Sequence, residues 1–344
     1  MKKNQEEFKQ IKKSELIAVG VDVAMETLAI CFRYKDKDKF EEIKNNKTEI
    51  KRLAGKLSKD NFKGKVIMES TGRHHLQTAL TLSENNLDVR VINPLISKKY
   101  SNSAIRKVKT DKRDSQILAE IAIKEEKLPS RFNLGKNEIT IKKKVSLIAF
   151  LDKEIQKMNS SINEYIRNSE ELGLKLSKTD KQIKRTVDLL KDQKKELEKE
   201  VEKMISDCKC NADEIEKYSS IPGVSSYTAS VSSLFFSGDY NLSAKQWIAF
   251  AGLDVSVRES GAWRGRGKLT KRGNAYLRKK LFQAAWGAKM HDDNFKKYYN
   301  RLRGEGRPYV EALIIIARKL VVIMFNLNNN NERYDASKTS FLTA

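Results

Sequence analysis

The sequence predicts a mixed-sheet α/β domain, then a helical coiled coil, then a mainly α-helical domain. Three observations predict it. Short apolar runs alternate with helical patterns over the first third. Heptads of apolar residues fill the middle. A compact helical texture with a glycine-rich, cation-rich loop fills the last third. The expected boundaries are 1–135, 136–216 and 217–330, with a flexible polar tail at 331–344.

Residues 15–34 and 64–69 read as strands, and LDVRVINP at 87–94 as a third. They carry β-branched apolar runs bounded by polar breaks. Helical patterns lie around 47–59, 73–86 and 111–126. Strands alternating with helices make a central sheet with helices packed on it. The pattern lapses near Pro129–Gly135.

Ile148, Leu151, Ile155, Met158, Ile162 and Tyr165 then recur three and four apart. The same spacing runs from Ile183 through Val187, Leu190, Lys194, Leu197, Val201 and Met204 to Cys208. Such a/d heptads with charged flanks mark a coiled coil. The seam weakens between Asn168 and Thr179, around Gly173, where a hairpin tip is expected; one long helix is the alternative. A packed spacer and a dimer interface are both open readings of this segment.

From Tyr218 the chain reads as helices. SSIPGVSSYTASVSSLF places a Pro-Gly turn before a helix, either a simple interhelical turn or a phosphate-facing one. Ser243 and Gln246 have the spacing of a capping box for AKQWIAFAGL. The segment DVSVRESGAWRGRGKLTKRGN reads as a loop before a helix at 275–289. Pro308 opens a final helix from Tyr309 to about Leu327. NNNNERYDASKTSFLTA reads as a frayed tail.

The 344 residues carry a formal charge of +23, spread along the whole length. Phosphate backbones are the natural partner of such a chain. The longest apolar stretch, ALIIIARKLVVIMF, is interrupted by Arg318 and Lys319 and is too short for a membrane span. The N-terminus lacks an apolar signal core, so a cytoplasmic protein is expected. Three cysteines, with Cys208 and Cys210 as CxC, read as reduced thiols rather than a zinc site.

Four acids stand out in this basic chain. Asp22 lies in an apolar strand and Glu69 ends another, where a ribonuclease-H-like sheet would need them. Asp111 and Asp114, spaced i, i+3, share one helix face. Convergent carboxylates suit Mg²⁺ or Mn²⁺ and phosphodiester chemistry. Taken singly, each acid is a surface charge or a cap; Asp111 has the position of a helix N-cap. A second constellation is Arg258, Glu259, Ser260 and Gly261, followed by Arg264, Arg266, Lys268, Lys271 and Arg272. One reading is a phosphate-gripping loop. The other makes Ser260 a nucleophile with flanking cations stabilising the phosphorane. No histidine base is near in sequence, and His291 reads as a surface residue.

The ordered segments GVDVAMETLAICF, MESTGRHHLQTAL, VINPLISKKYSNSAIRKVKTDKRDSQILAEIA, SIPGVSSYTASVSSLF, WIAFAGLDVSVRESG and GKLTKRGNAYLRKKLFQAAW resemble the insertion sequence one-ten family of transposases. That family is related to the Piv DNA invertases and described as bridge-RNA-guided recombinases. The resemblance covers nearly the whole chain. It implies a RuvC-like DEDD domain, a coiled coil and a helical transposase domain. It implies Mg²⁺ on Asp22, Glu69, Asp111 and Asp114, and Ser260 as nucleophile. It further implies a dimer-to-tetramer with acids of one subunit meeting the serine of another, and a noncoding bridge RNA pairing with donor and target DNA. Two peripheral departures are His74 and His75 in place of an aromatic, and Ser115 where alanine is usual.

Overall fold

The computed structural model describes residues 15–70, 72, 74–101, 110–207, 212–236, 242–256, 259–260, 263–264 and 267–342. The chain divides into two compact units, Met1–Lys136 and Asn137–Ala344.

The first unit is a five-stranded sheet with helices on it. In chain order it runs β1 (Leu16–Val23), β2 (Thr27–Tyr34), β3 (Asp38–Lys44), α1 (Lys47–Lys59) and β4 (Lys65–Glu69). Then come α2 (His75–Glu84), β5 (Asp88–Ile92), α3 (Pro94–Ser101) and α4 (Asp111–Lys124). The strand order is β3-β2-β1-β4-β5. β1 pairs antiparallel with β2 and parallel with β4, and β4 pairs parallel with β5. This is the mixed, ribonuclease-H-like sheet that the sequence leads one to expect. The parallel pairs need crossovers, and α1 and α2 provide them. Asn46 caps α1, its side chain accepting from the Glu49 N–H. Ile50, Leu53, Ala54 and Leu57 form the buried stripe of that helix.

Three details differ from the sequence expectation. The apolar run 15–34 is a hairpin, turned at Ala24, whose N–H donates to the Thr27 carbonyl at 3.0 Å. β3 had no signal, because DKFEEIK is a charged edge strand. The run to Pro94 stops at Ile92, and Pro94 opens α3 instead, where its missing N–H costs nothing.

In the second unit α5 (Lys136–Glu171) and α6 (Lys178–Ser206) form an antiparallel hairpin. Lys144 meets Glu200, Lys194 meets Asp152, and Lys184 meets Asn163 across it. Gly173 takes φ +68° in the connection, and Ser177 with Asp180 caps α6 reciprocally. The seam is buried at Ile148, Ile155, Val187 and Val201 but exposed at Met158, Tyr165 and Ile183.

Beyond it lie α7 (Ala212–Ser219), α8 (Ser226–Phe236) and α9 (Ala244–Phe250). Four two-residue strands follow: β6 (Val255–Ser256), β7 (Glu259–Ser260), β8 (Trp263–Arg264) and β9 (Lys268–Leu269). The chain then runs through α10 (Ala275–His291), α11 (Asp293–Gly304), α12 (Tyr309–Asn330) and a 3₁₀ turn at Ala336–Leu342. The core packs Tyr218, Trp247, Leu277, Leu281, Phe295, Leu313, Leu320 and Met324. Trp247 stacks on Phe236 at 4.3 Å and meets the edge of Phe325 at 5.3 Å.

Two expectations are corrected here. The stretch before α10 is paired ribbon, with β6 on β9 and β7 on β8, not open loop. The tail from 331 is pinned. The Tyr334 hydroxyl donates to Asp292 at 2.8 Å, the Tyr334 N–H donates to Ser220 Oγ at 2.8 Å, and Thr339 is buried. Among the described residues no helix is long and apolar enough to cross a membrane. Cys208 and Cys210 lie outside the described residues; Cys31 is a buried free thiol.

Candidate functional site

The acidic site is built on β1 and α4. Gly20 lies two residues before Asp22, on the same sheet face. A Cβ there would stand 2.0 Å from the Ser115 carbonyl oxygen and 2.5 Å from the Ala119 nitrogen. Only hydrogen fits, so the α4 backbone lies directly on β1. Ser115 is fully buried in that contact. The residue that departs from the usual alanine is thus one the helix can seat: its hydroxyl donates back to the Lys112 carbonyl at 2.9 Å.

The close seat brings the first turn of α4 to the end of β1. Thr110, not Asp111, is the N-cap, its side chain accepting from the Arg113 N–H. Asp111 and Asp114 both fall in the first turn, where the helix dipole favours negative charge. Glu69 ends β4, next to β1 in the sheet. Its carboxylate accepts from the hydroxyl of Ser97, a buried residue of α3. Ser97 had no signal in the sequence.

Electrostatics tie the four acids together. Asp22 is half-buried, and its carboxyl is pushed up to about 6. Desolvation is the largest cause, followed by the charges of Asp114, Asp111 and Glu69. A hydrogen bond at Val23 works weakly the other way. Four carboxylates from three elements therefore share one field. They are not yet a cage: among the described residues, no three His, Cys, Asp or Glu side chains converge as a metal site would require.

The serine lies in the second unit, on a ribbon closed at its base. Val255 pairs with Leu269, and the Thr270 N–H donates to the Asp254 carbonyl at 2.9 Å. Below that, the Asn274 N–H donates to the Phe250 carbonyl at 2.9 Å. Gly273 makes this crossing possible, since a Cβ there would stand 2.0 Å from the Phe250 oxygen. Asn274 then caps α10, accepting from the Tyr276 and Leu277 N–H groups. Further out, Ser260 pairs with Trp263 and Glu259 with Arg264.

Lys268, Lys271 and Arg272 are exposed at the ribbon base, Lys271 with φ +53°. Arg258 and Arg266 lie outside the described residues, and Ser260 and Arg264 are described in backbone only. His291 is exposed at the end of α10. The Pro222-Gly223 turn joins α7 to α8. A Cβ on Gly223 would stand 2.1 Å from the Ala288 nitrogen, so that turn packs on α10, as an interhelical turn does.

A buried charge cluster, also without a sequence signal, links the hairpin to α10. Asp152 accepts from Lys194 at 2.9 Å and also from Lys279. Burial alone would raise its carboxyl, but the two lysines outweigh that and hold it below the ordinary range. Lys280, 3.4 Å from Glu198, lies over the rings of Tyr227 and Tyr276.

Two family models match this chain. One, described as a transposase of DEDD type, matches residues 19–140. The other, described as a transposase of the IS116/IS110/IS902 family, matches residues 216–300. An insertion element IS110 uncharacterized 43.6 kDa protein of Streptomyces coelicolor is 28% identical over 119 residues, 34% of this chain and 29% of that protein. A pilin gene-inverting protein of Moraxella bovis is 25% identical over 327 residues, covering 92% of this chain and 97% of its own length. Its counterpart in Moraxella lacunata is 24% identical over the same share. Among solved structures, T. thermophilus RuvC in complex with Holliday junction substrate matches 30% of this chain and 90% of its own. That match has 12% identity and a TM-score of 0.23, too loose to add to the strand order. With one model on the sheet unit and the other on the helical unit, the chain belongs to the IS110 family of transposases and is a DNA-recombining enzyme.

Proposed function

We propose that the chain is a site-specific recombinase that moves an insertion sequence under the guidance of a structured noncoding RNA, which pairs with donor and target DNA. One observation carries the reading of its acidic site. Desolvation raises the Asp22 carboxyl most, and the charges of Asp114, Asp111 and Glu69 all reach it and add to that rise, to about 6. Independent surface acids would not do this.

The donor set fits Mg²⁺ or Mn²⁺, because all four side chains offer hard oxygen ligands. A bound ion would neutralise charge on the phosphate oxygens during strand breakage. Asp22, Glu69, Asp111 and Asp114 would hold it. Asp22 gives up its proton above about pH 6, so binding there favours neutral and alkaline solution.

Ser260 is the proposed nucleophile. Its Oγ attacks phosphorus, the bond to the 3′-oxygen breaks, and a 5′-phosphoserine link results. The proton lost by the serine balances the one gained by the leaving 3′-hydroxyl. Rejoining runs the same exchange with a new 3′-hydroxyl. Arg258, Arg264, Arg266, Lys268, Lys271 and Arg272 are assigned to phosphates of DNA or RNA. The net charge of +23 supports both partners. Assembly to a dimer or tetramer is assigned to the α5–α6 hairpin. Its exposed Phe150, Tyr165, Leu172, Leu174 and Leu189 support that role. The setting is the cytoplasm, at the nucleoid.

The test is to incubate the protein with Mg²⁺, the RNA flanking its element, and matched donor and target DNA. A denaturant-resistant protein–DNA adduct mapped to Ser260 is expected, lost in Ser260→Ala and absent without RNA or metal. Free cleaved ends with no adduct would reduce Ser260 to a phosphate contact and make the acids a hydrolytic site. Adducts persisting in Ser260→Ala would refute the nucleophile.

A further inference from the structure

We propose that Gln116 is a positioning residue for the acidic site, setting the roll of α4 and hence the placement of Asp111 and Asp114. The inference rests on the reading of those acids as a cation site.

The apolar seam of α4, with Ile117, Leu118, Ile121 and Ala122, beds the helix on the sheet. Such a seam is non-directional and resists rotation about the helix axis weakly. Directional contacts add resistance, and several of them join α4 to β3. Gln116 Nε2 donates to Asp38 Oδ2 on β3 at 2.9 Å. Arg113 Nη1 donates to Gln116 Oε1 at 2.7 Å. The Gln116 amide is therefore engaged at both ends, as donor and as acceptor.

Asp38 is itself fixed. The Arg33 guanidinium grips both its oxygens, at 2.8 and 2.7 Å, and reaches Glu120 at 3.6 Å. These bonds hold the Asp38 carboxyl below its ordinary range. One turn nearer the acids, Lys112 Nζ lies 4.4 Å from the centre of the Phe40 ring on β3. The edge strand thus grips the first two turns of α4.

Helical geometry converts this grip into carboxylate placement. At about 100° per residue, Gln116 and Asp114 lie on nearly opposite flanks. A bond holding one flank to β3 therefore fixes how far the other leans toward β4. A roll of about 10° at a side-chain radius of about 6 Å moves a carboxylate by roughly 1 Å. Ligand distances tolerate about 0.2 Å. Neither Glu nor Leu can replace the amide: Glu removes the donor and sets a charge against Asp38, and Leu removes both bonds.

The experiment titrates the full-length protein with Mn²⁺ at pH 7.5, reading free ion by electron paramagnetic resonance. Gln116→Leu and the smaller Gln116→Ala are compared with wild type, Asp22→Asn and Ser83→Ala. The last removes a remote hydrogen bond, from Ser83 Oγ to the Phe132 carbonyl, and controls for general loosening. Both Gln116 variants should bind Mn²⁺ about tenfold more weakly, the low end of what supporting residues command. Their thermal midpoints should fall no further than that of Ser83→Ala, which should bind as wild type.

Wild-type affinity in either folded Gln116 variant, with Asp22→Asn impaired, overturns the positioning role alone. An equal loss in Ser83→Ala also overturns it. Unchanged binding in Asp22→Asn removes the acidic site as the ion's seat, and this inference falls with it.

Discussion

Asp22→Asn should stabilise the metal-free protein at neutral pH, although it removes a charged ligand from any bound cation. In the unfolded chain an aspartate titrates near 3.8, whereas folded Asp22 titrates near 6. Between these values the folded state keeps a proton that the unfolded state has released. Stability therefore falls as pH rises through this window, and the loss is complete above it. The gap corresponds to about 3 kcal/mol. Solvent reaches the half-buried carboxyl, so about half of this, roughly 1.5 kcal/mol, is the working expectation. Asparagine keeps the shape and never ionises. Urea unfolding in chelator should place Asp22→Asn about 1.5 kcal/mol above wild type at pH 7.5, with about a third of that advantage left at pH 4.5. Adding Mg²⁺ at pH 7.5 should raise wild type and leave the variant unmoved. A variant no more stable than wild type at pH 7.5, or an advantage independent of pH, would refute the claim that the four acids repel one another across a desolvated site.

Two further substitutions probe what holds each unit in shape. Gly20→Ala forces a methyl group onto the Ser115 carbonyl and the Ala119 nitrogen, so α4 must lift; a loss of about 3 kcal/mol is expected, with Mn²⁺ binding lost as well. A near-neutral urea midpoint would mean that the helix is not seated on β1 as described. Asp152→Ala removes the carboxylate that Lys194 and Lys279 share and leaves Lys194 only the longer contact to Glu198 at 3.7 Å, and should cost about 3 kcal/mol. A loss under about 1 kcal/mol would show the cluster to be solvated. Its pH dependence has the opposite sign to that of Asp22: a carboxyl held low contributes above the ordinary aspartate range and loses that contribution only in acid.

Much of the fold was legible because burial writes itself into periodicity. The runs AVGVDV and KVIME are strands buried in a sheet, and Ser243 with Gln246 caps α9, the Ser243 N–H donating to Gln246 Oε1 at 2.8 Å. The charged edge strand β3 has no such signature, because only Ile43 of its residues is buried. The ribbon strands are two residues each, shorter than any period. The tail reads as polar because its anchors are polar: Tyr334 to Asp292 and Asn294 to Thr339. Lys194 stands in the heptad seam as an apparent break, and Asp152 explains it.

Chemistry was less legible than fold for a related reason. A sequence shows which side chains are present, while the site depends on how closely two backbones approach. At Gly20 the approach seats α4 on β1 and brings two acids to the end of the strand that carries Asp22. At Gly273 it crosses the two ends of the ribbon that carries Ser260. Neither glycine contributes a reacting atom, and neither breaks the surrounding pattern. Yet a single methyl group at either would displace a chemical group from a distance of several residues. The acids and the serine can be proposed from residue type and order. Whether they can act is decided by these contacts and by the Asp38–Gln116 bond, whose partners lie 78 residues apart. Substitutions at these supporting positions therefore separate a group's identity from its placement, which removal of the acids or the serine cannot do.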